Sequence, residues 1–415
     1  MKSLKSYLAE AAGKNTHMKH LEDLVLDGGV KGAREAINAL RSLRDMLAGN
    51  SKSSMDVTVK WDGAPAVFAG EDPRDGKFFV AKKGVFNADP KVYKSHDDID
   101  ADTQGDLNKK LKMAYDNLKD LGIKQVIQGD FMYDRGDLKK QKINGESYIT
   151  FHPNTILYAV PADSDLGKTI ARSNIGIVWH TVYTGGSFEN MSAQFGKSIV
   201  RTLKSSNKVW MIDATLDDMS GTAIMTASET AEVTKSLSNA GKIFNKISAS
   251  TLKEIESEKE LNLIINTYNN TKVRAGQRIT NTKSHANGLI DFVNTRYSKA
   301  IDKLKTEKGK SRKANARDEL IAKFFNKDNL KNLTMVFDLQ NAIVDAKLAL
   351  INKLNTLSNI DTFVKTKDGF KVTNPEGFVA IDRIGGGAVK LVDRLEFSSN
   401  NFSKDIIKGW DSPTR

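Results

Sequence analysis

Three observations predict an α+β fold in which a sheet-rich block is split by a long helical insertion. Runs rich in β-branched and aromatic residues recur from Asp56 to Tyr183, and strand texture returns between Gly369 and Leu395. Between them, from about 218 to 357, apolar residues recur almost wholly at three and four positions, the spacing of helices. The closing strands are too few to make a stable domain alone. They are therefore expected to return to the first sheet, which makes the helices an insertion rather than a second domain in tandem.

Taken in order, residues 1 to about 50 form a helical preface. Leu21, Leu24 and Leu26, then Ala33, Ile37, Leu40, Leu43 and Leu47, keep helical spacing, with a break at Asp27-Gly28-Gly29 and an end near Gly49. Strands are predicted at Val57 to Trp61, Ala66 to Ala69, Lys77 to Lys82, Gln125 to Tyr133, Tyr148 to Phe151, Thr155 to Val160 and Ile175 to Tyr183. One helix interrupts them, carried by Leu107, Leu111, Ala114 and Leu118, and Val209 to Ile212 reads as one further strand. The last strands are Gly369 to Val372, Gly377 to Ile381 and Ala388 to Leu395, with a turn at Gly385-Gly386-Gly387. The predicted divisions are 1–54 for the helical N-terminal region, 55–186 and 365–397 for the two parts of the sheet-rich core, 187–364 for the mostly helical insertion, and 398–415 for a tail.

The chain has 415 residues, 63 Lys and Arg against 51 Asp and Glu, and a net charge of +12. That balance favours polyanionic partners. With no cysteine, disulfides, thiolate nucleophiles and Cys-ligated zinc are excluded. The sequence lacks both an apolar run of membrane-spanning length and a signal-peptide core, so a soluble, cytoplasmic protein is expected, in the host cytoplasm if the source is a phage. No G-x-S-x-G elbow and no H-E-x-x-H pair occurs, which leaves serine-hydrolase and zinc-peptidase chemistry without support.

The sharpest local feature is Val57-Thr-Val-Lys60-Trp-Asp62-Gly63. It sets an amine at the end of an apolar strand, a carboxylate two residues on, and a glycine for the turn. Partial burial and nearby cations can depress such a lysine enough to make it a nucleophile. By itself K-x-D-G is more often a hairpin with a surface lysine. Its companions change the weighing: Val80-Ala-Lys82-Lys83-Gly84, Val126-Ile-Gln-Gly129-Asp130-Phe131, Ile175-Gly-Ile-Val-Trp179-His180, Pro375-Glu376-Gly377 and Ala388-Val-Lys390.

In this order the set resembles the covalent nucleotidyltransferase superfamily of ATP-dependent DNA ligases, RNA ligases and mRNA capping enzymes, and within it phage-type polynucleotide ligases most. The likeness covers about residues 55 to 185 and 365 to 397. It implies a nucleotidyltransferase core, ATP and Mg²⁺ or Mn²⁺ as cofactors, a lysyl-AMP intermediate, transfer of AMP to a 5′-phosphate, and attack by a 3′-hydroxyl. It also implies roles. Lys60 would be the nucleophile and Lys390 the strand lysine at the α-phosphate. Asp62 and Gly63 would shape the loop beneath the nucleotide, and Lys83 would contact the ribose or terminal nucleotide. Asp130 would bind ribose or metal, Glu376 would support the metal, and Trp179 or His180 would stack on the base.

The departures carry information too. Lys83 stands for the usual arginine, Asp130 for a glutamate, and Ala388 for a second lysine whose charge Lys82 or Arg394 could supply. Pro65 replaces the arginine common in DNA ligases and capping enzymes, which tilts the choice towards RNA. The 25 residues after Lys390 leave no room for the family's C-terminal OB domain, so any clamp on substrate is expected from the insertion.

Three weaker signals complete the reading. Gly385 to Gly387 lacks a following helix and reads as a hairpin turn rather than a phosphate loop. His17 and His20, with Glu22 and Asp23, read as a solvated helix start rather than a metal site. The stretch from 296 to 317 holds nine cations, Arg296, Lys299, Lys303, Lys305, Lys308, Lys310, Arg312, Lys313 and Arg317, against Asp302 and Glu307. It reads as either a solvated face or a grip on nucleic-acid phosphates. Two further classes fit these residues: a non-catalytic nucleic-acid-binding protein of the same fold, and an AMP transferase acting on another acceptor.

Overall fold

Fifteen strands arrange themselves in three sheets within a computed structural model that describes residues 20–50, 55–216, 223–357, 360–382 and 388–409. Strands β1 (Met55–Lys60), β2 (Ala66–Glu71), β3 (Phe78–Ala81), β4 (Val126–Asp134), β5 (Lys139–Ile143), β6 (Glu146–Phe151), β7 (Leu157–Pro161), β8 (Ile175–Thr184), β9 (Ser192–Phe195) and β10 (Val209–Asp213) precede the helical block. After it come β11 (Asp361–Thr366), β12 (Gly369–Val372), β13 (Gly377–Asp382), β14 (Ala388–Leu391) and β15 (Ile406–Ile407). The first sheet has the order β1-β13-β14, the second β10-β8-β4-β2-β3 with β9 on β8, and the third β12-β11-β7-β6-β5 with β15 on β11. All pairings are antiparallel except that of β10 with β8. The class is α+β, and the closing strands do return: β13 and β14 to β1, β11 and β12 to β7.

The side-chain period of two in a strand decides what each face of the first sheet meets. Val57 of β1, Phe378 and Ala380 of β13, and Val389 and Leu391 of β14 turn to the largest apolar cluster. That cluster also takes in Leu21 to Leu47 and the helices Ala227–Phe244, Lys259–Arg274, Thr282–Asp302 and Lys327–Asn355. The N-terminal region is thus not a separate preface. It and the insertion form one helical body on the back of the first sheet, because neither amphipathic surface can be covered alone. On the opposite face, Thr58, Lys60, Val379, Ile381 and Lys390 border an open cleft. The second sheet is buried against helix Gly105–Leu118 on one side and against the third sheet on the other, through Met132, Phe151, Tyr158, Val178 and Trp210.

Four expectations are corrected. The helical block begins at Ala227, so β9 and β10 belong to the second sheet although they lie inside the predicted insertion. The strand expected to run to Leu395 stops at Leu391, because Asp393 caps helix Arg394–Phe402 by accepting from the backbone of Leu395 and Glu396. Its C-terminal neighbour is no loose tail up to 409: β15 pairs with β11, and the Gly409 backbone donates to Asn154. Finally, the predicted solvated helix start around His20 is buried. Glu22 is only 6% exposed, and its carboxylate lies 2.7 Å from the Lys347 ammonium, itself 1% exposed on helix Lys327–Asn355. His17 and Gly385 to Gly387 lie outside the described residues. Among those described, no helix is long and apolar enough to cross a membrane.

Candidate functional site

Where the first and second sheets diverge they leave a cleft of about 440 Å³. It opens because residues after β10 leave the second sheet to pair with β1: the Val59 backbone donates to Ala214 and Leu216 donates to Val57. Five of the residues singled out from sequence line it, Lys60, Lys83, Asp130, His180 and Lys390, together with Gly63. They come from separate stretches of the chain, brought together by register. Lys60 pairs with Gly377 across β1 and β13, and Val379 pairs with both Thr58 and Lys390, so Lys390 follows from strand parity alone.

Glu376 forms an ion pair with Lys60. Gly377, at φ +145°, makes the turn that delivers it, and a Cβ there would lie 2.5 Å from the Leu391 carbonyl oxygen. Gly377→Ala is therefore expected to lose about 1–3 kcal/mol of stability, read as a fall in the midpoint of thermal unfolding. Gly63 is required for a similar reason, since a Cβ would come within 2.5 Å of Asp130 Cβ. That close approach brings the loop after Lys60 against the floor of the cleft.

The electrostatics follow from burial with few partners. Desolvation pulls the Lys60 ammonium down, but the Glu376 carboxylate, backed by Asp130 and Asp62, more than reverses it, so Lys60 lies above an ordinary lysine. Burial raises the Glu376 carboxyl against the pull of Lys60. Burial likewise pushes Asp130 up to about 7, with the nearby Lys60 charge opposing and Glu376 reinforcing. His180 is lowered to about 4 by burial and by Lys60, so it is neutral at pH 7. Its Nε2 stands 3.9 Å from Asp130, while Nδ1 meets the Thr181 hydroxyl at 2.7 Å. Lys390 is lowered by burial and by the charge of Lys60.

Two candidates face elsewhere. Trp179 is fully buried among the residues packed on helix Gly105–Leu118, because it alternates with His180 along β8. Only His180 of the pair can face a ligand in the cleft. Asp62 is 5% exposed and points away, accepting hydrogen bonds from Asn154 Nδ2 at 2.9 Å and from the backbones of Thr155 at 2.8 Å and Ile156 at 3.0 Å. It anchors the loop rather than touching the cleft. The two cations offered as substitutes at position 388 are engaged away from the cleft lining. Lys82 pairs with Asp102 at 3.0 Å, and Arg394 pairs with Asp23 at 2.9 Å and donates to Asn270.

Reading the sequence missed Gln128, Tyr183 and Phe195. The Tyr183 hydroxyl donates to Gln128 at 2.7 Å, and Phe195 packs against Val379, Ile381 and Ala388. Gln128 and Tyr183 stood inside predicted strands and signalled nothing by themselves. Phe195 shares a face with Ala193 in a four-residue strand, too short a run for a period of two to stand out.

A family model described as a family of unknown function (DUF6267) matches residues 15–406. No curated protein and no solved structure matches the chain.

Proposed function

We propose that this chain, which belongs to the DUF6267 family, is an ATP-dependent polynucleotide ligase with a nucleotidyltransferase core, acting on RNA in preference to DNA. The observation that carries this reading is the single cleft in which Lys60, paired to Glu376, lies among Lys83, Lys390 and Asp130. Such a set suits phosphoryl chemistry: an amine to attack, cations for the leaving phosphates, and carboxylates for a divalent ion.

In the first step the neutral Lys60 amine attacks the α-phosphorus of ATP. The N–P bond forms, the bond to the bridging oxygen of the β-phosphate breaks, and pyrophosphate leaves. A 5′-phosphate oxygen then takes the AMP from Lys60, and a 3′-hydroxyl displaces AMP to form the phosphodiester, its proton passing to solvent. Lys83 and Lys390 hold the phosphates, while neutral His180 and Phe195 give the base an aromatic wall. Asp130 and Glu376 are oxygen donors of the kind Mg²⁺ or Mn²⁺ takes together with substrate phosphates and water, and burial raises both carboxyls, so a divalent cation beside them would favour their ionised form. When bound, the ion offsets charge at the α-phosphate.

The Lys60–Glu376 pair has a consequence for pH. It holds the amine charged, so attack requires loss of that proton, and Asp130 ionises only above about 7. Both changes favour the same direction. Incubation with α-labelled ATP and Mg²⁺ is expected to leave a covalent adenylate that increases from pH 6 into the alkaline range and is absent from Lys60→Ala. No label with ATP, GTP or NAD, whatever the divalent metal or pH, would sink the proposal. That outcome favours the non-catalytic nucleic-acid-binding reading, for which the charged state of Lys60 is the supporting observation. Label without sealing of nicked or single-stranded substrates favours AMP transfer to another acceptor.

A further inference from the structure

The helical body carries a second cleft, of about 460 Å³, bordered by Arg296 and Lys299 of helix Thr282–Asp302, by Lys303 at the C-cap of that helix, by Lys313 of helix Glu307–Phe324, and by Glu260. We propose that it is a sequence-independent site for the phosphodiester backbone of single-stranded nucleic acid, separate from the cleft at Lys60 and independent of the chemistry there.

Position along the helix supports this. Residues 296, 299 and 303 follow i, i+3, i+7 and so share one face. At 1.5 Å per residue they extend over about 10 Å, the rise of about three nucleotides in one strand. The charge is also unevenly spent. Elsewhere in the basic stretch, Lys310 pairs with Glu307 at 2.8 Å and Arg317 with Asp318 at 2.8 Å. Inside the cleft, the one carboxylate is taken by Lys313, whose ammonium lies 3.1 Å from Glu260 and 4.4 Å from the centre of the buried Tyr297 ring. Among the described residues no acidic group pairs with Arg296, Lys299 or Lys303 within 4.0 Å. Three cations without a salt bridge, of which Arg296 feels the Glu260 charge at longer range, line a concave surface, which concentrates positive potential more than a convex one would. Lys305, Lys308 and Arg312 carry equal charge but stand outside the lining.

The test is fluorescence polarisation with a labelled oligouridylate and its DNA counterpart, without nucleotide, between about 50 and about 200 mM salt. Wild-type protein is expected to bind both strands with strongly salt-dependent affinity. The triple variant Arg296→Gln, Lys299→Gln, Lys303→Gln should bind at least tenfold more weakly, with a log–log salt slope shallower by about 2, since each single-strand phosphate contact contributes about 0.7. Lys305→Gln, Lys308→Gln, Arg312→Gln removes the same net charge and should keep most of the binding. Equal losses in the two variants, with unchanged circular dichroism, would mean net charge alone is at work and overturn the site. Absence of binding by wild-type protein would overturn it as well, and would favour an acidic protein as the occupant. Because strand binding is read without ATP, this result is separate from whether Lys60 takes up AMP.

Discussion

Lys347→Ala is expected to destabilise the folded chain by about 3–5 kcal/mol, because it strands a buried carboxylate. The Lys347 ammonium lies 2.7 Å from Glu22 Oε2, with both side chains almost fully enclosed. The same residue of the N-terminal region offers its backbone carbonyl to Gln340 at 3.1 Å, and Arg394 approaches Glu22 to 3.8 Å. Once Lys347 is gone, that longer ion pair is the one left among the described residues for a charge that cannot reach water. Replacing both partners by apolar residues, Lys347→Met with Glu22→Leu, should recover much of the loss, since the cost of such a pair is mainly that of leaving one member alone. Urea unfolding of the single and double variants measures both quantities. A single-variant cost under about 1 kcal/mol would mean the pair contributes little.

The same interaction predicts a direction in pH. Burial by itself would raise Glu22, but the Lys347 charge holds it near 2, below its ordinary 4.5. A carboxylate depressed in the folded state adds stability that is complete above the ordinary range and is lost as pH falls towards the folded value. The Lys347-dependent part of the stability should therefore fade between about pH 4.5 and about pH 2. The network adjoins the cleft, since His20 forms a bridge with Lys390 on β14. If Lys60 takes up AMP as proposed, loss of the network should also reduce adenylate formation there.

Asp62→Ala is expected to cost nearly as much, by a different route. Three donors converge on its carboxylate, and two of them are backbone groups of Thr155 and Ile156, buried just before β7. Each buried donor left unpaired costs about 1–3 kcal/mol. The loop after Lys60 is tied at this point to the third sheet, a tie completed by the Asp62 backbone donating to the Tyr158 hydroxyl at 2.7 Å. Release of the loop should displace Lys60 from Glu376, so stability and, on the proposed activity, adenylate formation fall together. Asp62→Asn keeps the shape and one acceptor oxygen and should lie between the two. If Asp62→Ala melted with wild-type stability, the carboxylate could not be the anchor.

The strands with β-branched alternation, such as β1 and β8, could be read from the chain because period two is a local property. So could the helices, whose three-and-four spacing is equally local. Lys60, Asp130 and Lys390 stood out for the same reason, each in a short run of distinctive text. Which of Trp179 and His180 reaches the cleft was not legible, since adjacent residues of a strand always face apart and only sheet packing assigns the faces. Asp62 looked like part of the site because it lies two residues from Lys60, yet the peptide path turns it onto Asn154, Thr155 and Ile156. Phe195 and the Glu22–Lys347 pair were invisible, the latter because its members are separated by most of the chain.

Local spacing and residue chemistry were enough by themselves to determine a basic, cysteine-free α+β chain split by helices. Tertiary structure decided the rest. It made the N-terminal region and the insertion one body, chose His180 over Trp179, tied Asp62 to Asn154, Thr155 and Ile156, and set Glu376 on Lys60. The physical reason is common to all four: contacts between distant segments depend on register and on which apolar face must be covered, and neither is written within any one segment.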